Sequence, residues 1–351
     1  FGHHAEELAF LDAFTKGRLA HGWLLTGPRG IGKATFAWKI ARFLLATPAD
    51  DGGMFAPPPP TSLDVPPDHP IARRMMALSE ARLFLLRRPW DDKATPPRLR
   101  QEITVDEVRR MKSFFNMSAA DGGRRVAIVD CADEMNGNAA NALLKLLEEP
   151  PPDVTILLVS HQPSRLLPTI RSRCRELRLA TLSPADMALA LAESGVAVED
   201  AAALAELSGG SVGEAIRIIN LDGLKLYTQL VALMATLPRL DRPRAIALAE
   251  AGAGRGAEAS FDLVLRLLDL FLARLARSGA TGEPPPEAVP GEAALIRRLS
   301  PDPETARTWA ELAQTLSLRA RRGKAVNLDP AALLMDMVLK IDETAGALAP
   351  R

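Results

Sequence analysis

Residues 21–46 read HGWLLTGPRGIGKATFAWKIARFLLA, and this stretch constrains the fold more than any other. GWLLTG is an apolar run ending in a glycine-rich turn, and KATFAWKIARFLLA puts Phe36, Ile40, Phe43 and Leu44 on one helix face. A strand that is apolar at successive positions must be covered on both sides, which is the condition of a parallel sheet with helices on both faces. The turn has the spacing G-x-x-x-x-G-K, from Gly27 to Gly32 and Lys33, with Gly30 between. In a phosphate-binding loop of that spacing, glycines let backbone amides wrap the phosphates, the lysine reaches the terminal ones, and a following hydroxyl holds magnesium. Ala34 stands at the hydroxyl position.

Two further apolar runs, RRVAIVD and VTILLVS, extend the sheet, and ITVDEVRRMKSFF is a helix opening near Thr104 or Asp106 as its cap. From about residue 47 to 70 the chain is too rich in proline for a helix or a central strand, and it reads as an exposed excursion. After RCRELRLATL the composition changes again. SPADMALALAESG starts with Ser183 as cap and Pro184 at the first helical position, and from there the chain reads as helical throughout. FDLVLRLLDLFLARLARSG and LDPAALLMDMVLKI carry Leu-rich faces, suited to internal packing or to a partner. The boundaries are therefore an α/β P-loop domain over 1–182 and all-α segments over 183–221 and 222–351.

Charge and cysteine content bound the function. Lys plus Arg and Asp plus Glu both number 43, so no global field draws the chain to nucleic acid or to an anionic membrane. Cys131 and Cys174 are the two cysteines, too few for a disulfide framework or a four-ligand zinc site. No apolar run is long enough to span a bilayer and no signal peptide is evident, so the expected location is cytoplasmic. Residue 1 is Phe rather than Met, which suggests that a short stretch of chain precedes it.

VAIVDCADEM is an apolar strand ending in Asp130, where a P-loop NTPase keeps its metal-associated aspartate. Cys131 follows, with no histidine partner evident nearby, and reads as a small half-buried thiol rather than a nucleophile. The segment NGNAANALLKLLEEPPPDVTILLVSHQPSRLLPTIRSRCRELRL then holds Asn141 to Lys145, Glu148 to Pro150 and the triplet Ser172, Arg173, Cys174. Together with HGWLLTGPRGIGKAT, these residues resemble the clamp-loader branch of AAA+ proteins, over roughly residues 1–220. The resemblance implies an AAA+ domain, a helical lid over 183–221 and a helical oligomerising collar over 222–351. It also implies that Arg173 reaches a neighbour's ATP site as an arginine finger. The alternative for Arg173 is to cap its own helix or pair with a carboxylate such as Glu176.

Within that branch the departures matter. A motor subunit would carry Ser or Thr after Lys33, glutamate after Asp130, and an arginine on the lid helix where GGSVGEAIRI has Gly213. Magnesium then loses its hydroxyl, water its orienting carboxylate, and the phosphates a guanidinium in cis. The chain is thus most similar to the delta-prime family of bacterial DNA polymerase III clamp loaders, whose role is a non-hydrolysing stator. The partners implied are motor (tau/gamma) subunits and delta, with the sliding clamp and primer-template DNA reached through the complex and no membrane. No cofactor is required; ATP binding at the vestigial loop and Asp130 is expected to be weak or absent, and no zinc is expected. Two other readings use the same residues. An active AAA+ ATPase would rest on Lys33 and Asp130, and an autonomous DNA-binding protein on the clusters RSRCRELR and RARRGK.

Overall fold

Strand β1 (Gly22–Thr26) is buried at every position, as its unbroken apolar sequence requires. The other strands are β2 (Leu83–Leu86), the two-residue strands β3 (Trp90–Asp91) and β4 (Arg98–Leu99), β5 (Arg125–Val129), β6 (Val154–Val159) and β7 (Arg175–Arg178). Five of them form one parallel sheet in the order β2-β5-β6-β1-β7, while β3 and β4 pair as an antiparallel hairpin. The register aligns Leu24 of β1 with Leu158 of β6 on one side and Glu176 of β7 on the other. This is a computed structural model, and it describes residues 1–47, 59–94, 97–116, 123–196, 200–252 and 258–349.

Alternation along the strands separates two cores. Trp23, Leu25, Ile128, Leu157 and Leu177 face one side with α1 (His4–Thr15), α2 (Lys33–Ala46) and α3 (Pro70–Met76). Leu24, Ala127, Val129, Ile156 and Leu158 face the other, with α4 (Val105–Asn116), α5 (Gly137–Glu148) and the short α6 (Pro168–Arg171). Helix α4 begins after Thr104, whose backbone N–H donates to Glu107 Oε2 at 3.0 Å, so the cap falls on the first of its two candidates. These elements make up a compact unit from Phe1 to Thr181.

The proline-rich stretch is exposed at most of its described positions, as expected, but two of its apolar residues are not. Residues 48–58 lie outside the described residues, but beyond them Leu63 is fully buried and Val65 nearly so, both packed in the core with α2. Leu63 N–H donates to Glu7 Oε1 at 2.9 Å, and Lys39 Nζ lies 3.0 Å from Glu7 and 2.9 Å from Asp64. Proline prevents regular structure here, yet the one Leu in the run still gains about 1.5–3 kcal/mol by leaving water.

The second unit, Leu182–Arg351, is all helix. It comprises α7 (Pro184–Glu193), α8 (Ala201–Ser208), α9 (Val212–Asn220), α10 (Gly223–Met234), α11 (Arg242–Ala251), α12 (Glu258–Thr281), α13 (Glu292–Leu299), α14 (Pro303–Ala325) and α15 (Pro330–Leu348). Ser183 caps α7 as its sequence indicated, accepting from Asp186 N–H at 3.1 Å. Leu204, Leu207 and Ile218 of α8 and α9 join the same core as α10 to α15, beside a small cluster formed by Leu182, Met187, Leu191, Ala205 and Ala215. Phe261, Leu268, Phe271 and Leu275 of α12, and Leu334, Met337 and Ile341 of α15, lie inside that core. Their Leu-rich stripes are therefore taken up largely by internal packing, the first of the two uses open to them from sequence.

Candidate functional site

The glycine-rich turn leaves β1 at its carboxyl end and enters α2 through Gly32, which has φ +95° as the residue before the helix. Gly27 is required for space as well as for conformation. At φ +139° a Cβ there would lie 2.4 Å from Leu179 O and 2.8 Å from Ile31 Cδ1. Gly30 also has positive φ, at +73°. The turn thus has the winding of a phosphate loop, but its lysine is engaged elsewhere. Lys33 is 2% exposed, and its ammonium donates to Gly27 O at 2.7 Å and to Pro28 O. Burial lowers its pKa to about 8, an effect only partly offset by acidic neighbours such as Asp133. Ala34 offers no oxygen, and Thr35 beside it is exposed in the first helical turn.

Asp130 follows β5 directly, its N–H donating to Leu86 O at 2.8 Å. Cys131 comes next with φ +65°, and its Sγ lies 3.1 Å from His161 Nε2 and 3.9 Å from Asp130 Oδ1. The histidine partner that the linear sequence did not place beside Cys131 is thus supplied from the end of β6. The backbone N–H of His161 donates to Asp133 Oδ1 at 3.0 Å, which ties the two strand ends together. Burial pushes the Cys131 thiol up to about 12, helped by Glu134 and Asp130, while burial and the nearby Lys33 charge lower His161. Both groups are therefore neutral near pH 7, and Sγ and Nε2 share one hydrogen bond. His161 was legible through one signal: it stands just past the carboxyl end of an apolar strand, where open α/β sheets bind ligands.

The loop has no side-chain hydroxyl at Ala34, the lysine is bonded to carbonyls of its own turn, and a neutral thiol–imidazole pair stands where a P-loop ATPase has its water-orienting carboxylate.

The Ser172, Arg173, Cys174 triplet lies apart from this cluster, between α6 and β7. Pro168 starts α6 as its sequence suggested. Ser172 Oγ donates to Thr169 O at 3.1 Å, and burial pushes the Cys174 thiol up to about 12. Arg173 Nη1 donates to Thr169 O at 3.0 Å, and its Nη2 lies 2.9 Å from Glu148 Oε1 in an ion pair whose members are both more than a third exposed. Glu176 instead accepts from Thr26 Oγ1 at 2.6 Å. Gly213 lies in the second unit, in the first turn of α9 behind its cap Ser211, which accepts from Glu214 N–H at 3.2 Å.

A glycine-rich turn after β1, which stands between β6 and β7, and an aspartate at the end of β5, one strand further, define a P-loop domain of the AAA+ class, joined here to an all-α unit. Residues 71–183 match the sequence family described as DNA polymerase III, delta subunit. The chain is 36% identical over 223 residues to the DNA polymerase III subunit delta' of Pseudomonas aeruginosa, covering 63% of this chain and 61% of that one. Against subunit delta' of Escherichia coli it is 32% identical over 251 residues, covering 70% and 72%. It is also 29% identical over 223 residues to DNA polymerase III subunit gamma/tau of Mycobacterium bovis, covering 59% of this chain and 34% of that one. The chain belongs to the DNA polymerase III subunit delta' family. Among the described residues, no helix is long and apolar enough to cross a membrane.

Proposed function

We propose that this chain is a stator of the DNA polymerase III clamp loader: it hydrolyses no ATP itself, helps place the sliding clamp on primed DNA, and lends Arg173 to an adjacent motor subunit. The observation that carries the first part is the Cys131–His161 pair at 3.1 Å, which puts a neutral thiol where hydrolysis needs a carboxylate. Lys33 turned onto Gly27 O and Pro28 O, and the missing oxygen at Ala34, support the same reading. ATP is then held weakly or not at all by the loop, and neither Asp130 nor the cysteines have a metal to hold. Motor (tau/gamma) and delta subunits are the partners of this reading, and clamp and primer-template DNA are reached through the assembly. The cytoplasm is where such an assembly works.

Arg173 can serve a neighbour because both its partners, Glu148 and Thr169 O, hold it at an exposed position. An exposed ion pair such as Arg173–Glu148 is worth about 0–1 kcal/mol. A guanidinium supplied in trans to a transferring phosphoryl group is worth about 10³ to 10⁵ in rate, so exchanging Glu148 for phosphate oxygens costs little against the gain. The test is a reconstituted complex. Arg173→Ala should leave assembly intact, reduce hydrolysis at the one adjacent motor site by that order, and impair clamp loading. Total ATPase should fall by less, since the other sites keep their own fingers, and Lys33→Ala should do much less than Arg173→Ala. Unchanged ATPase and clamp loading with the Arg173→Ala subunit would remove Arg173 from the mechanism.

A further inference from the structure

Glu148 sits where its charge is locally disfavoured. It is the last residue of α5, at the negative end of the helix dipole, and a second carboxylate, Glu149, follows it. Lys145 stands one turn earlier, at the spacing that lets helical side chains pair, yet the two form no ion pair among the described residues. Glu148 turns instead to Arg173, its Oε1 lying 2.9 Å from Nη2. Glu149 makes no ion pair among the described residues.

The backbones of both partners are fixed by one close contact. A Cβ on Gly22 would lie 2.9 Å from Leu147 Cδ2, 3.2 Å from Cys174 Sγ and 3.4 Å from Arg173 O, so the end of α5, the start of β1 and the Arg173 turn close on the same point. His21 Nε2 donates to Leu147 O at 2.8 Å, and Ile170 of α6 is fully buried. Packing thus sets where Glu148 and Arg173 stand, while their charged ends lie at the surface, able to exchange partners. Arg173 has a second hold, Nη1 on Thr169 O at 3.0 Å, which uses a different donor from the one that faces Glu148.

We propose that Glu148 is the resting partner of Arg173 and a brake on its use as a finger: the carboxylate holds Nη2 until a neighbour's phosphate oxygens take its place. The inference rests on the reading of Arg173 as an arginine finger and adds the residue that regulates it. A carboxylate and a phosphate compete for the same N–H donors, and the charge of Glu148 opposes the approach of another anion. Because the pair is exposed, the hold is weak enough to be exchanged and strong enough to shift a rate a few-fold.

Two measurements test this. In the full chain alone, phenylglyoxal labelling of Arg173 is followed by peptide mass spectrometry. Glu148→Gln should speed it about two- to fivefold, whereas Glu149→Gln, which removes the same charge but leaves the pair, should not. In the reconstituted complex, with the other motor sites disabled, Glu148→Gln should raise hydrolysis at the adjacent site about two- to fivefold. That gain should vanish in the Arg173→Ala background, because a brake without its finger has nothing to hold. Equal labelling of the parent and Glu148→Gln overturns the brake. So does a Glu148→Gln complex that hydrolyses no faster than the parent while Arg173→Ala slows it, a result that leaves the finger standing. A gain that persists in the Arg173→Ala background also overturns it, since Glu148 would then act through another group. If Arg173→Ala leaves hydrolysis unchanged, the finger itself is removed, and the brake with it.

Discussion

Lys33 shows how far burial changes one side chain of a motif. Buried against two carbonyls of its own turn, it has a pKa of about 8 instead of its ordinary 10.5. The unfolded chain holds that proton up to about pH 10.5 and the folded chain releases it near 8, so between these values the unfolded state binds more protons and stability rises with pH. Denaturant titrations from pH 7 to 10.5 should therefore show the parent gaining up to ~3 kcal/mol relative to Lys33→Met. A difference that stays flat across that window would mean that Lys33 is solvated. Cys131 makes the matching point for nucleophiles. With the thiol pushed up to about 12 and its sulfur hydrogen-bonded to His161, it is poorly reactive, and Cys174 is held at the same value by burial. A disulfide reagent at pH 8 should titrate neither thiol promptly in the folded chain and both in denaturant. Prompt reaction of one equivalent would contradict this account of Cys131 or of Cys174.

At the scale of elements, short segments are held by single anchors. The proline-rich run forms neither helix nor strand, yet Leu63 inserts into the core beside α2, and Glu7 and Lys39 secure the backbone and Asp64 around it. Leu63→Ala should cost about 2–5 kcal/mol, as for other fully buried leucines, read as a drop in the urea midpoint of the fragment 1–181. A change of a few tenths would return this segment to the status of a solvated excursion. The strand–turn–helix unit around Gly27 depends on a similar close approach: a methyl group there meets a backbone carbonyl of the chain leaving β7, which cannot yield as the Ile31 side chain could.

At the scale of the molecule the chain is two units, each with its own cores. The helical one contains a buried polar network. Arg274 Nε donates to Glu292 Oε1 at 2.7 Å, Tyr227 OH donates to the same oxygen, and Ala288 N–H donates to Oε2 at 2.8 Å. Arg274 also donates to Pro286 O, so the network pins the Pro/Gly-rich loop before α13. Helices α8 and α9 share the core of α10 to α15 and α7 packs in a small cluster with them, so the cut that preserves a complete unit falls at 181/182. Fragment 182–351 should fold alone and unfold in one transition. Glu292→Ala should remove about 3–5 kcal/mol from it by leaving Arg274 buried with Glu206, at 3.4 Å, as its one carboxylate partner among the described residues. A fragment that is unfolded, or that tolerates Glu292→Ala, would show that the network contributes little.

The parts whose signals are local can be read along the chain. The apolar runs of β1, β5 and β6, the glycine spacing, Asp130 at a strand end, Pro184 behind the cap Ser183 and the all-helical second half each follow from steric and solvation rules acting over a few residues. The missing hydroxyl at Ala34 and missing carboxylate at Cys131 were equally plain, because a motif is read position by position. Only the tertiary structure decided what fills those positions. His161 reaches Cys131 across 30 residues because β5 and β6 are neighbours in the sheet. Lys33 turns inward because carbonyls of its own turn lie within reach, and Arg173 meets Glu148 rather than Glu176 because α5 ends beside α6. The stripes of α12 and α15 looked alike as internal or external faces until neighbouring helices covered them. Periodicity reports that a face is apolar; which surface covers it is set by packing between residues far apart in the chain.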